Sequence, residues 1–405
     1  MHGRDADFPR FHKAHFSKEW VYLHSQDLQK MQVTELKIQQ NPPALKFSTG
    51  QDEYEIPALW LREKTQDPES TDTNTQQRLF DSHLIDPDVQ LTEVEPLPQG
   101  RVRIAFSDGH SAHYTTEYLL AEIVDADHTP AAIAWDSSLD QRLIRHDWRA
   151  LSDSKAFEAA LMAYLQYGYI VLANVPNTPE QVLEVGRKFG YVKETNFGTY
   201  FEVRSKPKAN DLAYSTVALG PHTDNPYRDP VPGIQLLHCL VNETSGGLST
   251  MVDSVKVVDA LMQEDLAGYM LLKNTPVRFR FVDKGVELTT RRPMIKTDET
   301  GHTLGVHYSP RLDSLPLLRA DEIRAFHKAR KRLAELFNHP DYEVRFRLAA
   351  GELMFFDNSR VLHGRTSFNP SEGARHLQGC YIDLDGPRER LSEIIKGSKQ
   401  TEEAA

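Results

Sequence analysis

The spacing of apolar and polar positions divides the chain into a strand-rich first part and a longer second part where strands alternate with a few helices. Short runs at 33–38, 44–47, 54–61 and 101–106 read as strands. Between them, 65–77 is a polar Thr/Asp/Gln loop, and 1–30 is polar and His-rich without periodicity, which predicts a loose arm. The stretch 125–147, with Pro130 and Trp135, reads as a linker. From 151 to 168 the spacing becomes helical, with Phe157, Leu161, Tyr164 and Leu165 as the apolar positions and Ser152 or Asp153 as the cap. The run 169–174 is a buried type of strand, and 179–189 predicts a second helix opened by Pro179. Strand patterns follow at 199–204, 234–241, 277–282, 304–308, 342–348, 353–356 and 379–384, with helical patterns at 255–272 and 320–337. The tail from 397 is polar and predicts fraying. Many strands with few helices predict a mainly β fold with flanking helices: a double-stranded β-helix, or jelly roll, with helices packed outside it.

Composition narrows the class. A chain of 405 residues is long enough for two domains, or for one large domain with an accessory module. Hydrophobic content of 40% and charged content of 26% are those of a globular protein in water. No apolar run approaches the roughly 18 residues a membrane span needs. The first residues are polar and lack an apolar stretch, so no secretory signal is expected. A net charge of −11 argues against a nucleic-acid partner, whose binders carry basic patches. The two cysteines, Cys239 and Cys380, sit in apolar strand-like runs and predict two buried free thiols in a reducing compartment, the cytosol.

The candidate chemistry centres on Gly220-Pro-His222-Thr-Asp224-Asn225-Pro-Tyr227. His222 and Asp224 are two apart, so on an extended segment both side chains leave one face. One imidazole and one carboxylate are two of the three ligands of a 2-His-1-carboxylate triad, the arrangement of non-haem iron(II) oxygenases. A His-x-Asp pair alone is an ordinary loop feature; a third ligand must come from elsewhere. The stretch from Glu352 to Arg365 reads as an apolar strand, a turn at Asp357-Asn358, and a second strand that delivers His363. Arg365 reads as a surface residue or one packed behind the site. Further on, Arg375 opens another strand-like run, and a guanidinium there suits the distal carboxylate of a dicarboxylic co-substrate.

These residues, together with Pro232-Gly-Ile-Gln-Leu-Leu-His-Cys239, Gly246-Gly247-Leu-Ser249-Thr250, Val361-Leu-His-Gly-Arg365 and Arg375-His-Leu-Gln-Gly379, resemble the γ-butyrobetaine dioxygenase branch of the taurine dioxygenase-like Fe(II)/2-oxoglutarate oxygenases. The resemblance runs from about residue 30 onward, specific in the catalytic part and loose before about 150. It implies a small β-rich N-terminal domain over 30–124 and a jelly-roll oxygenase domain over 130–396. It implies Fe(II) held by His222, Asp224 and His363, with 2-oxoglutarate and O2 at the three open positions and ascorbate as a supporting reductant. Ser249 aligns with the hydroxyl that helps Arg375 grip the co-substrate; a plain ladder hydroxyl is the alternative. In many relatives a cysteine cluster after the equivalent of Trp60-Leu61-Arg62 binds zinc with a later histidine. Here the cysteines are missing and only His110 remains, so no structural zinc is expected. A small-molecule substrate and a homodimer complete the expectation, with no nucleic-acid or membrane partner.

By the same resemblance Phe197, Phe201 and Tyr214 form an aromatic cage around a trimethylammonium group, with core packing the alternative for each ring. The fourth cage position falls on Asn225. The anion end departs from the carnitine-forming pattern: an expected amide is Asp211, and no Asn occurs in Val306-His-Tyr308-Ser309. Tyr308 and Arg311 bring a phenol and a fixed positive charge, and Arg291-Arg292 form either a further cationic group or a solvated face. A dianionic head group suits arginine more than asparagine. The favoured substrate at this point is therefore 2-(trimethylammonio)ethylphosphonate, followed by γ-butyrobetaine, then trimethyllysine or a protein-directed oxygenase. A non-catalytic jelly-roll binder would be expected to have lost a metal ligand, and this chain keeps all three.

Overall fold

The short apolar runs near the start become two three-stranded antiparallel sheets: β1 (Glu35–Gln40), β2 (Pro43–Ser48) and β3 (Glu53–Pro57), then β4 (Leu91–Leu97), β5 (Arg101–Phe106) and β6 (Ser111–Thr115). The computed structural model describes residues 35–48, 53–124, 129–204, 216–283 and 285–403, which fall into one unit within 1–127 and another within 128–405. In the first unit, alternation on β5 and β6 turns Val102, Ile104, Phe106, Ala112 and Tyr114 inward against Leu45, Phe47, Ile56 and Leu61. The run 54–61 is a strand only as far as Pro57, and Trp60-Leu61-Arg62 lies on the helix Ala58–Glu63. Leu61 is buried there, so one apolar position served a helix rather than a strand. Arg62 donates through Nε to Asp108 Oδ2 at 2.7 Å, and His113 pairs with Asp67 at 3.1 Å.

The second unit is built on two sheets. The larger has the order β10 (Phe201–Arg204), β22 (Arg375–Ile382), β12 (Ile234–Asn242), β20 (Leu353–Asp357), β8 (Tyr169–Ala173) and β7 (Arg145–Asp147), with β9 (Val192–Lys193) also paired to β22. The smaller has the order β11 (Leu219–His222), β21 (Val361–Arg365), β13 (Ser249–Asp253) and β19 (Glu343–Phe346). The large sheet is apolar on both faces, which explains its near-continuous apolar runs. Ile234, Leu236, Phe355, Cys380 and Ile382 face a helical layer, while Leu237, Cys239, Met354, Phe356 and Leu377 face inward. β7 lies in the expected linker; it pairs parallel to β8, so the chain there already belongs to the sheet.

Helix boundaries follow local chemistry. Asp153 caps the helix Ser154–Tyr167 by accepting from the amide of Ala156. The next helix is Gln181–Phe189 and does not start at Pro179, because Glu180 sits at φ 65° and its amide goes to Gln378 Oε1 at 2.6 Å. The helical stretch 255–272 is two helices, Ser254–Glu264 and Leu266–Asn274, with Asp265 capping the second through the amide of Gly268. With the helix Ala320–Phe337 they cover β14 (Val277–Asp283), β16 (Ile295–Thr297) and β17 (Thr303–Val306) in a second apolar core. β15 (Val286–Arg292) and β18 (Asp313–Ser314) flank β14. A final helix, Gly386–Glu403, packs Leu391, Ile394 and Ile395 against the large sheet's helical layer and runs on through 397–403, part of the tail expected to fray. Among the described residues, no helix is long and apolar enough to cross a membrane.

Candidate active site

A cavity lies between the two sheets. The small sheet contributes Leu219, His222, Ser249, His363, Gly364 and Arg365; the large one contributes Phe201, Gln235, Leu237, Met354, Arg375, Leu377 and Tyr381. Antiparallel pairing of β11 with β21 sets His222 directly opposite His363, with ring centroids 4.3 Å apart. Asp224 follows just past the end of β11. Its Oδ1 lies 3.4 Å from His222 Nε2 and 3.9 Å from His363 Nε2. Among the described residues this is the one cluster of three metal-ligating side chains, its donor atoms all within 4.8 Å of one another.

The donor set fits a divalent metal. His222 Nδ1 donates to the carbonyl of Gly220 at 3.0 Å, which fixes the tautomer and leaves the Nε2 lone pair facing Asp224. Burial, then the neighbouring His222, pull His363 down to about 3, so its imidazole is neutral and able to ligate. Burial works to raise Asp224, but the two neighbouring histidines and the hydroxyl of Tyr381 outweigh it, and the carboxyl is held below its ordinary range. Two imidazoles and a carboxylate on one side of an open cavity are the ligand set of non-haem iron(II) oxygenases.

The loop carrying Asp224 is held from outside. Buried Asn358 accepts from the amide of Asp224 at 2.7 Å and donates back to its carbonyl at 2.9 Å. Asn358 thus does more than make a turn, while Asp357 accepts from the amides of Ser359 and Arg360 and shapes the turn itself. Thr223, between the two ligands, exchanges hydrogen bonds with the backbone of Tyr308, at 2.7 Å from its own amide and 3.0 Å to its hydroxyl.

Tyr308 is the clear correction. Its ring is not part of the cavity wall; it is 4% exposed and packs edge-on against Phe337 in the helical core. Position 308 is two past the end of β17, and its side chain turned toward the helices while its backbone served the metal loop. Arg291 and Arg292 also lie away from the cavity: Arg291 is exposed, and Arg292 donates to the carbonyl of Arg228 at 2.6 Å. Arg311, Ser249 and Arg375 do line it. Asp211 and Tyr214 lie outside the described residues.

The far end of the cavity is cationic. Arg375 is 8% exposed, and among the described residues it has no carboxylate partner. Its guanidinium lies over the ring of Phe368 at 5.6 Å, and Arg365 lies over the same ring at 5.2 Å. Burial, then the charges of Arg375 and Arg311, push Arg365 down to about 10. Cations crowd each other at this end, and an incoming dianion relieves that repulsion. Aromatic rings also line the cavity: Phe197 and Phe201, two of the residues named for the cage, with Tyr227, Phe281 and Tyr381. Tyr227 stacks on Phe281 at 4.8 Å, Phe197 meets Phe281 edge-on at 6.0 Å, and Phe201 lies 5.2 Å from Tyr381.

The jelly roll and the triad together define an Fe(II)/2-oxoglutarate-dependent dioxygenase. The chain belongs to the taurine catabolism dioxygenase TauD, TfdA family, which matches residues 136–381, and residues 35–120 match the γ-butyrobetaine hydroxylase-like N-terminal family. The γ-butyrobetaine dioxygenase of Pseudomonas sp. (strain AK-1) is 33% identical over 344 residues, covering 83% of this chain and 89% of the relative. The human γ-butyrobetaine dioxygenase is 26% identical, covering 84% of this chain and 91% of that protein. The mitochondrial trimethyllysine dioxygenase of Rattus norvegicus is 26% identical over 81% of this chain and 80% of its own length.

Proposed function

We propose that this dioxygenase hydroxylates a C–H bond of a small trimethylammonium carboxylate, with γ-butyrobetaine as its substrate. The observation that carries the reading is the cavity lining: five aromatic rings face it, and its one carboxylate among the described residues is Asp224. A quaternary ammonium cannot donate a hydrogen bond, so π-faces are its natural partner, each contributing roughly 0.5–2 kcal/mol. The names of the relatives support the same substrate and favour it over the phosphonate. His222, Asp224 and His363 hold the iron. Arg375 and Ser249 hold the distal carboxylate of 2-oxoglutarate. Phe197, Phe201, Tyr227, Phe281 and Tyr381 receive the ammonium, with Tyr214 as a further ring, and Arg311 receives the carboxylate. Iron(II) and 2-oxoglutarate, when bound, supply the oxidising power drawn from O2. The residues around them orient the C–H bond and keep water from the reacting atoms. Two buried free thiols agree with a reducing, cytosolic setting.

A second reading rests on Arg311 and Arg365, the two lining guanidiniums not given to 2-oxoglutarate, which would suit the dianionic 2-(trimethylammonio)ethylphosphonate. A panel separates them: succinate release with Fe(II), 2-oxoglutarate and each of γ-butyrobetaine, the phosphonate, trimethyllysine and a methylated-lysine peptide. The highest kcat/KM is expected for γ-butyrobetaine. A phosphonate preference would replace the carboxylate at the anion end, and a peptide preference would overturn the small-molecule reading.

A further inference from the structure

Asn225 stands where the resemblance expects a cage ring, and the structure gives its amide a different task. Its backbone is in the left-handed region, at φ 54°, which Asn tolerates better than most side chains, and the residue is 7% exposed. Its Oδ1 accepts from the Tyr227 hydroxyl, its Nδ2 donates to the Tyr381 hydroxyl at 3.1 Å, and Tyr381 donates to Asp224 Oδ2 at 2.8 Å.

Donor and acceptor roles along this path are forced. Tyr381 spends its single proton on Asp224 Oδ2, the acceptor 2.8 Å away. The Tyr381 oxygen can then only accept, which turns the NH2 of Asn225 toward it. The carbonyl end of Asn225 is left for Tyr227, which must donate. All three hydrogens point toward the metal ligand, and bonds aligned in this way strengthen one another.

We propose that Asn225 is a positioning residue that fixes the metal-binding carboxylate through the directed chain Tyr227→Asn225→Tyr381→Asp224. Occupying Oδ2 leaves Oδ1, the oxygen facing both Nε2 atoms, as the single coordinating atom. One-oxygen coordination keeps the remaining metal positions open. The chain also joins the metal to the aromatic wall, since Tyr227 stacks on Phe281 and Tyr381 lies against Phe201. The inference rests on the iron-site reading and extends it to how the metal-binding carboxylate is held.

The test is Mn(II) affinity of the full chain, measured by calorimetric titration in the absence of substrate, for the parent and three variants. Tyr381→Phe keeps the ring and removes the last donor. Asn225→Gly keeps the left-handed backbone and removes the amide, and Tyr227→Phe removes only the outermost hydroxyl. Outer partners of metal ligands are typically worth about 10–100-fold in affinity. Tyr381→Phe and Asn225→Gly should both lose affinity in that range, and Tyr227→Phe should lose less in the same direction. A second readout is hydroxylated product formed per succinate, which should fall in all three variants with thermal stability little changed. Parental Mn(II) affinity in Asn225→Gly, with a loss in Tyr381→Phe, would overturn the role of the amide. Parental affinity and coupling in Tyr227→Phe would overturn the outer link. Failure of the parent itself to bind Mn(II) would overturn the metal reading and the proposal with it.

Discussion

Replacing Arg375 by Ala asks whether the buried guanidinium is the co-substrate's partner. Arg375 is 8% exposed, its Nε has no hydrogen-bond partner among the described residues, and burial pulls its pKa below the ordinary value. A buried charge without a counter-charge is costly, and an arriving carboxylate removes that cost. A hydrogen bond to a charged group contributes about 1.5–3 kcal/mol, so Arg375→Ala should weaken 2-oxoglutarate by about 10- to 150-fold. Direct binding of 2-oxoglutarate to Mn(II)-loaded protein gives the number without turnover, and the 2-oxoglutarate dependence of succinate release gives it in the working enzyme. Affinity for the prime substrate should move little, because the aromatic wall is untouched. An unchanged 2-oxoglutarate affinity would refute the assignment and direct attention to Arg365 or Arg311, the other guanidiniums of the cavity.

Three further outcomes follow from the same geometry. Gly247 has φ +66°, and an added Cβ would meet Arg375 Nε at 2.9 Å, so Gly247→Ala should raise the KM for 2-oxoglutarate while leaving prime-substrate affinity near the parent's; the reverse pattern would contradict the placement. Gly379 lies under Phe201, where a Cβ would come within 2.5 Å of the ring, so Gly379→Ala should displace that ring and weaken the trimethylammonium substrate by up to ~30-fold, about 2 kcal/mol, with uncoupled 2-oxoglutarate consumption retained; parental substrate affinity would remove Phe201 from the wall. Burial pushes the fully buried His238 down to about 4 from 6.5, so the unfolded chain binds the extra proton between those values and this part of the stability, roughly 2–3 kcal/mol, is present above pH 6.5 and lost as pH falls toward 4. His238→Leu should accordingly gain on the parent in melting temperature between pH 7 and 5, and parallel curves would refute the claim.

The sequence carried the reactive end of this site more clearly than the receiving end. His222, Asp224, His363 and Arg375 are few, chemically distinctive, and placed by strand periodicity, so spacing along the chain translated into one cavity. Aromatic residues carry no such mark. Tyr227, Phe281 and Tyr381 sit on apolar strands or beside the metal motif and have the pattern of core residues; only the tertiary packing that gathers β14, β22 and the Asp224 loop around one cavity brings them together. Tyr308 misled for the complementary reason: its backbone holds Thr223, and a sequence shows side chains before it shows carbonyls. Asn358 looked like a turn residue because the contact that matters, to the backbone of Asp224, crosses more than a hundred positions. In the fold, β4 and β15 were hidden by charged and threonine positions that dilute alternation, with Leu91 alone fully buried on β4. The break at Asp265 was hidden because both helices keep an apolar face in phase with the same core.

The most direct measurement of the central claim is product stoichiometry with γ-butyrobetaine. Purified protein, Fe(II), 2-oxoglutarate and O2 should convert it to a species heavier by one oxygen atom, detected by mass spectrometry, with one succinate released per product. The same mixture without iron, or with His222→Ala, should give neither. Succinate release no faster than in the absence of γ-butyrobetaine, with no oxygenated product, would contradict the account.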